Sequence, residues 1–302
     1  MKILSYGEEI MKEESRARVS LILAMTIFGT IGIFRKYIPL PSGVVACARG
    51  VLGVAFLLAF IKIRNIKIDG SAIRKHLKIL LISGIFIGLN WVLLFESYRY
   101  TSVAVATLCY YMAPIFVMLV SPIILKEKLS MKKSICVAVA LLGMVFVSGV
   151  LEGGISEISE LKGVLFGLGA AALYATVVMM NQGLKEVPTY DKTIMQLGAA
   201  AVVLIPYIFL VEDLSSVILT PLIIVMLLIV GVVHTGIAYA LYFGSMNGLK
   251  AQTVALFSYI DPIVAIILSA LLLKEPMTMY SWIGAVLVLG ATMMSELPEK
   301  KR

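Results

Sequence analysis

Charged side chains are scarce in this chain: they make up 15% of its 302 residues, while 60% of the residues are hydrophobic. A soluble domain carries about a quarter charged residues, so the composition excludes one and places the chain in a bilayer. Histidine is reduced to His76 and His234, and cysteine to Cys47, Cys109 and Cys136. No pairing or metal-ligand spacing links them, so no metal, cofactor or disulfide framework is expected, and the thiols read as small buried apolar groups. Also missing are a Gly-x-Ser-x-Gly elbow, a His-Glu-x-x-His pair and a phosphate-cradling Gly-Lys-Ser/Thr loop. These absences argue against hydrolytic, metalloprotease and ATP-driven chemistry.

What the chain has in quantity is apolar runs. A hydrocarbon core about 30 Å thick needs about 20 apolar residues per helical pass, because backbone amides there must satisfy one another within the helix. Ten runs qualify, at 17–37, 42–61, 79–98, 102–125, 134–151, 163–184, 193–211, 217–243, 251–273 and 279–295. They leave no room for a soluble catalytic domain, so function is expected inside the membrane. The formal net charge of +8 is not gathered on one face, as a nucleic-acid binder would have it. It is sorted by loop: with the N-terminus inside, twenty Lys/Arg fall in inner segments against five outside (Arg35, Lys36, Arg99, Lys162 and Lys274), with Arg49 inside a run. Both termini are therefore expected on the cytoplasmic side of the cell membrane. The acidic "EEIMKEESRAR" does not resemble a signal-peptide n-region, and the first run is read as retained.

The chain also repeats itself. "LCYYMAP" at 108–114 returns as "LFSYIDP" at 256–262, so that Leu108 meets Leu256, Tyr111 meets Tyr259 and Pro114 meets Pro262. "LKE" at 125–127 meets "LKE" at 273–275; at an offset of 147, Pro41 meets Pro188 and Arg49 falls on Gln196. The expected organisation is a tail at 1–16, a five-span repeat at 17–151, a loop at 152–162, a second repeat at 163–295 and a tail at 296–302. Five is odd, so the copies enter the membrane in opposite orientation, related by a pseudo-two-fold axis in its plane, with a site near the midplane between them. The fold class read from the sequence is an all-α integral membrane protein of ten transmembrane helices in two inverted five-helix repeats.

The ten-span duplication, the "P..LKE.LS" run at 122–130 with its following glycine at 143, and its echo near the C-terminus resemble the drug/metabolite transporter superfamily, EamA type, over nearly the whole chain. The departures are Lys126 and Lys274, where that family often has glycine before the loop glutamate, and an unusual aspartate at 261. The resemblance implies a secondary transporter, often an exporter of amino acids or related small metabolites, working by alternating access.

Polar groups inside the runs mark the candidate site, since an ionisable side chain at the bilayer centre costs about 2.5–3.5 kcal/mol on insertion scales. Asp261 lies about halfway along its run, directly before Pro262, whose ring removes a backbone hydrogen bond and disfavours helix just upstream. It is read as a cation, ammonium or proton site, or else as a structural carboxylate bonded to a neighbouring helix. Arg49 enters the second run from its outer end, within reach of the headgroups or of a central cavity, where its planar fork suits a carboxylate. Glu96, three residues before Arg99, reads as half of a surface pair.

Thr107, Tyr110, Tyr111 and Pro114 share one helical face, and Gln252, Ser258, Tyr259 and Pro262 another; these two faces are expected to line the cavity, with Pro114 and Pro262 as helix breaks. Asn90, Trp91, His234, Tyr239 and Tyr242 flank it, and His234 is weighed as a proton shuttle against a satisfied hydrogen-bonder. Tyr174, Asn181, Gln182 and Gln196 are given no role beyond lining or packing, and Gly84 and Gly88 read as close helix contacts.

The reading is a carrier of small, amino-acid-like metabolites by alternating access, with export the expected direction and proton coupling through Asp261 or facilitated exchange as its drive. The expected partners are a small-molecule substrate and membrane lipid, without nucleic acid, in a monomer or homodimer. The alternatives are a carrier of lipid-linked or nucleotide-linked substrates, which would want several basic residues at depth, and an intramembrane enzyme or a channel. The charge sorting is directly testable: green fluorescent protein fused after Arg302 is expected to fluoresce, and alkaline phosphatase fused there to stay inactive, whereas active phosphatase would reverse the orientation.

Overall fold

The computed structural model describes residues 2–124, 130–147, 151, 158–246, 249, 254 and 257–297, and among them there are helices and turns but no strand. Helix follows from the apolar composition, because only an internally bonded backbone tolerates hydrocarbon. The elements are α1 (Lys2–Tyr37), α2 (Ser42–Ile63), α3 (Gly70–Tyr100), α4 (Val103–Tyr110), α5 (Ala113–Ile124), α6 (Met131–Val147), α7 (Ile158–Asn181), α8 (Thr189–Val211), α9 (Pro221–Leu228), a π-helical segment (Ile229–Ile237), α10 (Ala238–Met246), α11 (Ile260–Leu272) and α12 (Met279–Glu296).

Among the described residues, seven helical stretches are long and apolar enough to cross a membrane: Glu13–Tyr37, Ser42–Ile63, Gly70–Tyr100, Val103–Val120, Glu160–Leu184, Thr189–Val211 and Pro221–Ser245. The fifth, ninth and tenth runs fall on the shorter helices α6, α11 and α12. With 13 residues, α11 measures about 20 Å at 1.5 Å per residue, less than the hydrocarbon thickness. Residues 125–127, Gln252, Leu256, 152–157 of the expected loop and 298–302 of the expected tail lie outside the described residues.

Caps and breaks decide the ends. The Asp69 carboxylate accepts from the amides of Ser71 and Ala72, both at 3.0 Å, so α3 starts at Gly70 rather than at 79. Ser102, Thr220 and Thr278 cap α4, α9 and α12 in the same way. The fourth run is two helices with a break at Tyr111–Met112, and the chain turns again at Tyr259, just before α11. Each break stands two or three residues ahead of its proline. The repeat-related prolines Pro41 and Pro188 precede α2 and α8 with nearly the same backbone, φ −54°, ψ 144° and φ −52°, ψ 143°.

The helices pack chiefly across the two halves: α1 on α10 and α11, α2 on α8 and on the π-helical segment, α3 on α7 and α8, α4 and α5 on α7, and α6 on α12. Exchanging each helix for its equivalent in the other half returns the same set of contacts, which is the signature of two-fold symmetry. The equivalent helices α2 and α8 run antiparallel. Gly43 at the start of α2 donates its amide to Glu212 just past α8 (2.8 Å), and Asp69 just past α2 donates its amide to Asp191 at the start of α8 (2.8 Å). Equivalent helices α6 and α12 also cross closely, a Cβ on Gly284 falling 2.6 Å from the carbonyl oxygen of Gly143. Gly84 and Gly88 let α3 lie on α8: a Cβ on Gly84 would meet the Gln196 carbonyl oxygen at 2.5 Å.

Ion pairs tie the ends of the bundle. Glu275 accepts from Lys36 at 3.0 Å, from the Val103 amide at 2.8 Å and from the Ser269 hydroxyl, fastening α1, α4 and α11 together. At the opposite end Glu186 receives Lys75 at 2.6 Å and His76 at 3.3 Å, and these hydrogen bonds hold its carboxyl below the ordinary carboxylate range.

Lys274, one residue before Glu275, has φ +53°, the left-handed region where a side chain is strained and glycine is not. Lys274→Gly is expected to stabilise the purified protein by up to about 1 kcal/mol, read as a higher midpoint of thermal unfolding in detergent; an unchanged or lower midpoint would show that the lysine side chain offsets the strain.

Candidate functional site

Where the two broken passes meet, the repeat-related tyrosines come together: Tyr111 and Tyr259 place their ring centroids 6.2 Å apart, and the Tyr111 hydroxyl donates to the Ser258 carbonyl at 3.1 Å. A helix broken at this depth brings side chains of successive turns to one point, and both halves do so at the same level. The result is a cavity of about 310 Å³ between the repeats. Half of its lining residues are aromatic, Phe28, Trp91, Tyr98, Tyr110, Tyr111, Tyr174, Tyr239, Tyr242 and Tyr259, and Met25, Ile31, Leu94, Thr107, Ala113, Pro114 and Ser258 join them. Ring contacts lace this wall together, Tyr110 with Tyr174 at 5.5 Å and Phe28 with Tyr239 at 5.4 Å.

Among the described residues, two lining residues are charged, Arg49 and Asp261. Arg49 is 5% exposed, its Nε donates to the Thr235 hydroxyl at 2.8 Å, and its guanidinium lies over the Trp91 ring at 4.2 Å from the centroid. Asp261 stands on the first turn of α11 and lines the cavity together with Tyr111. Arg49 arrives from the first repeat and Asp261 from the second, so opposite charges face the same apolar hollow.

Of the residues singled out from the sequence, Arg49, Trp91, Tyr110, Tyr111, Pro114, Tyr259 and Asp261 converge on this cavity, and so do Thr107, Tyr239, Tyr242 and Ser258. Three others do not line it. Asn90 is buried and donates to the Ala170 carbonyl, bracing α3 on α7. His234 is 1% exposed, with Nε2 2.8 Å from the Thr30 hydroxyl, Nδ1 3.3 Å from the Ile229 carbonyl and Phe34 edge-on at 4.9 Å. Pro262 is buried in the start of α11. Glu96 pairs with Arg99 at 2.9 Å, at the rim.

Sequence reasoning passed over Phe28, Tyr98 and Thr235, and gave Tyr174 no role beyond lining or packing. The three aromatics lie in apolar runs and carry no pattern that separates lining from packing. Thr235 sits in a π-helical segment, and no residue pattern announces one. The Arg49 equivalent, Gln196, is bonded to Ser83 at 2.7 Å and Asn181 at 2.9 Å, so one copy offers a cation to the cavity and the other a satisfied amide.

A second cavity of about 520 Å³ lies at the end of the bundle where α1 meets α2, lined by Arg35, Lys36, Arg99, Glu212 and Asp213 among others. Tyr98 lines both hollows.

The sequence pattern of the EamA-like transporter family matches residues 16–149 and again 161–296. The chain is 29% identical to "Uncharacterized transporter YxxF" of Bacillus subtilis (strain 168), over 92% of this chain and 88% of that one. It is 25% identical to "Uncharacterized transporter YoaV" of the same organism, over 82% and 84%. A transporter of Archaeoglobus fulgidus is 24% identical over 65% of this chain and 67% of its own length. A solved crystal structure superimposes with a TM-score of 0.65 at 20% identity, covering 93% of this chain and 96% of that one, a likeness of fold.

The position of His234 makes it a packing residue between α1 and the π-helical segment. His234→Gln is expected to cost about 1–3 kcal/mol of stability, seen in thermal unfolding, and to leave the apparent KM of uptake at its wild-type value; a raised KM at full stability would put the imidazole in the solute's path.

Proposed function

Because the chain belongs to the EamA-like transporter family, and is thus an integral membrane transporter of small solutes, we propose that it is a secondary carrier of zwitterionic, amino-acid-like metabolites. The observation that carries this reading is the charge pattern of the cavity, with Arg49 and Asp261 set in an aromatic wall. A guanidinium fork suits a carboxylate and a carboxylate suits an ammonium, while tyrosine rings hold an apolar remainder without adding charge. A hollow of about 310 Å³ lies at the small end of the ligand-pocket range, about 300–1,000 Å³, and suits a single small solute. A nucleotide-linked substrate would need several cations around its phosphates, and Arg49 is the one basic lining residue among the described residues.

The transport cycle in this reading is alternating access. The antiparallel course of α2 and α8 supports copies inverted in the membrane, ten passes in all with both termini cytoplasmic, which exchange conformations about a shared site. Solute ammonium and proton compete for the Asp261 carboxyl, so outward movement of solute is coupled to inward movement of protons.

Reconstituted proteoliposomes given a panel of amino acids test this. Saturable uptake and counterflow are expected of the wild type, a KM raised about tenfold or more is expected of Arg49→Gln, and loss of the response to a pH gradient is expected of Asp261→Asn. Unchanged uptake and pH response in Asp261→Asn would remove that carboxyl from the mechanism, and single-channel currents would replace the carrier with a pore.

A further inference from the structure

A guanidinium recognises a carboxylate by geometry only if its own plane is fixed, and a long arginine side chain is not fixed by its charge. Two groups hold Arg49. Trp91 covers one face at 4.2 Å, and Thr235 takes the inner edge, its Oγ1 accepting from Nε at 2.8 Å. The two terminal nitrogens make no hydrogen bond among the described residues, on a side chain 95% buried that lines the cavity.

Thr235 can act as an acceptor because of the backbone it stands on. In an ordinary helix a threonine hydroxyl turns back to the carbonyl four residues earlier. Here it donates to the Val230 carbonyl five residues earlier, at 3.1 Å, across a widened π-helical turn. Its single proton is spent on Val230, so a lone pair faces Arg49. The segment is seated tightly on α2. A Cβ on Gly53 would fall 2.5 Å from the Thr235 methyl, and Gly231 and Gly236 lie against Leu52 and Phe56, where a Cβ would fall at 2.4 Å and 2.5 Å. The methyl is clamped between the helices and the hydroxyl has one direction left. π-helical turns frequently mark functional sites, and this one performs an identifiable task.

We propose that Thr235, oriented by the π-helical segment, is the positioning residue that aims the Arg49 fork into the cavity and thereby sets its preference for solutes that carry a carboxylate. The proposal rests on the zwitterion reading above and adds to it the element that makes a flexible cation selective. The equivalent point of the first repeat is Gly88, which has no hydroxyl to offer.

The test compares leucine with leucinamide, which lacks the carboxylate, in proteoliposomes of wild type, Thr235→Val, Thr235→Ser and Arg49→Gln. Valine keeps the shape and loses the acceptor; serine keeps the acceptor. Thr235→Val is expected to raise the KM for leucine about tenfold at nearly unchanged maximal rate, to leave leucinamide uptake alone, and so to lose the preference as Arg49→Gln does. Thr235→Ser is expected to restore it. A second measurement needs no solute: with only Trp91 and Trp282 in the chain, the emission of Trp91 in a Trp282→Phe background reports the guanidinium stacked on it. That emission is expected to shift in Thr235→Val and to stay in Thr235→Ser. Wild-type preference in Thr235→Val, equal impairment in Thr235→Ser, or unshifted Trp91 emission in Thr235→Val would each overturn the proposal. A wild type that moves no leucine would strike the zwitterion reading instead, and the emission comparison would still decide whether Thr235 holds Arg49.

Discussion

Every polar group taken into hydrocarbon has to find its partner within the protein, and the interior of this chain is arranged around that requirement. Arg35 spends its terminal nitrogens on the carbonyls of Ile38 and Leu40 and on the Ser42 hydroxyl, pinning the turn between α1 and α2. Gln196 is bonded to Ser83 and Asn181, Asn90 to Ala170, and Asp191 to the Asp69 amide. Arg35 Nε and Thr107 Oγ1 are buried without a partner among the described residues, and Arg49 goes further: its Nε is bonded to Thr235 while its two terminal nitrogens, without a hydrogen bond among the described residues, belong to a side chain that lines a hollow. A buried cation and an aspartate lining one largely apolar cavity carry a cost that the fold has to offset.

The duplicated sequence and the constraint of burial meet at the breaks. Tyr111 and Tyr259 stand at the two interruptions and touch each other, because two-fold related segments must meet at their axis. The tight glycine contacts, Gly84 and Gly88 on α8 and Gly143 against Gly284, set how near the helices come. The breaks set where the space between them opens. Glu275 then locks one end of that space by joining α1, α4 and α11.

Much of this was legible in the residues. The apolar runs predict the helices, and the Tyr-x-x-Pro echo predicts which residues meet. Arg49, Asp261, Trp91 and Tyr110 were marked by being polar or aromatic at depth. Lengths were less legible, since α3 begins nine residues early on an Asp69 cap and α11 is short because the chain turns at Tyr259. Thr235 was not legible at all: a threonine in an apolar run ordinarily bonds its own helix, and the five-residue return to Val230 depends on glycines fitting the side chains of α2. Tyr98 was passed over, and Tyr174 left between lining and packing, for a related reason, as an aromatic ring is equally at home in packing and in a cavity wall.

The two copies are alike in path and unlike in chemistry, an arginine at 49 answering to a glutamine at 196. For a carrier that alternates by swapping the conformations of its halves, the inward-facing and outward-facing forms are then not mirror images, and a solute meets a different dissociation constant on each side. Detailed balance forbids such an asymmetry from shifting the final distribution of an uncoupled solute. It can only apportion the kinetics, making one face the better receiver at low concentration and the other the better releaser.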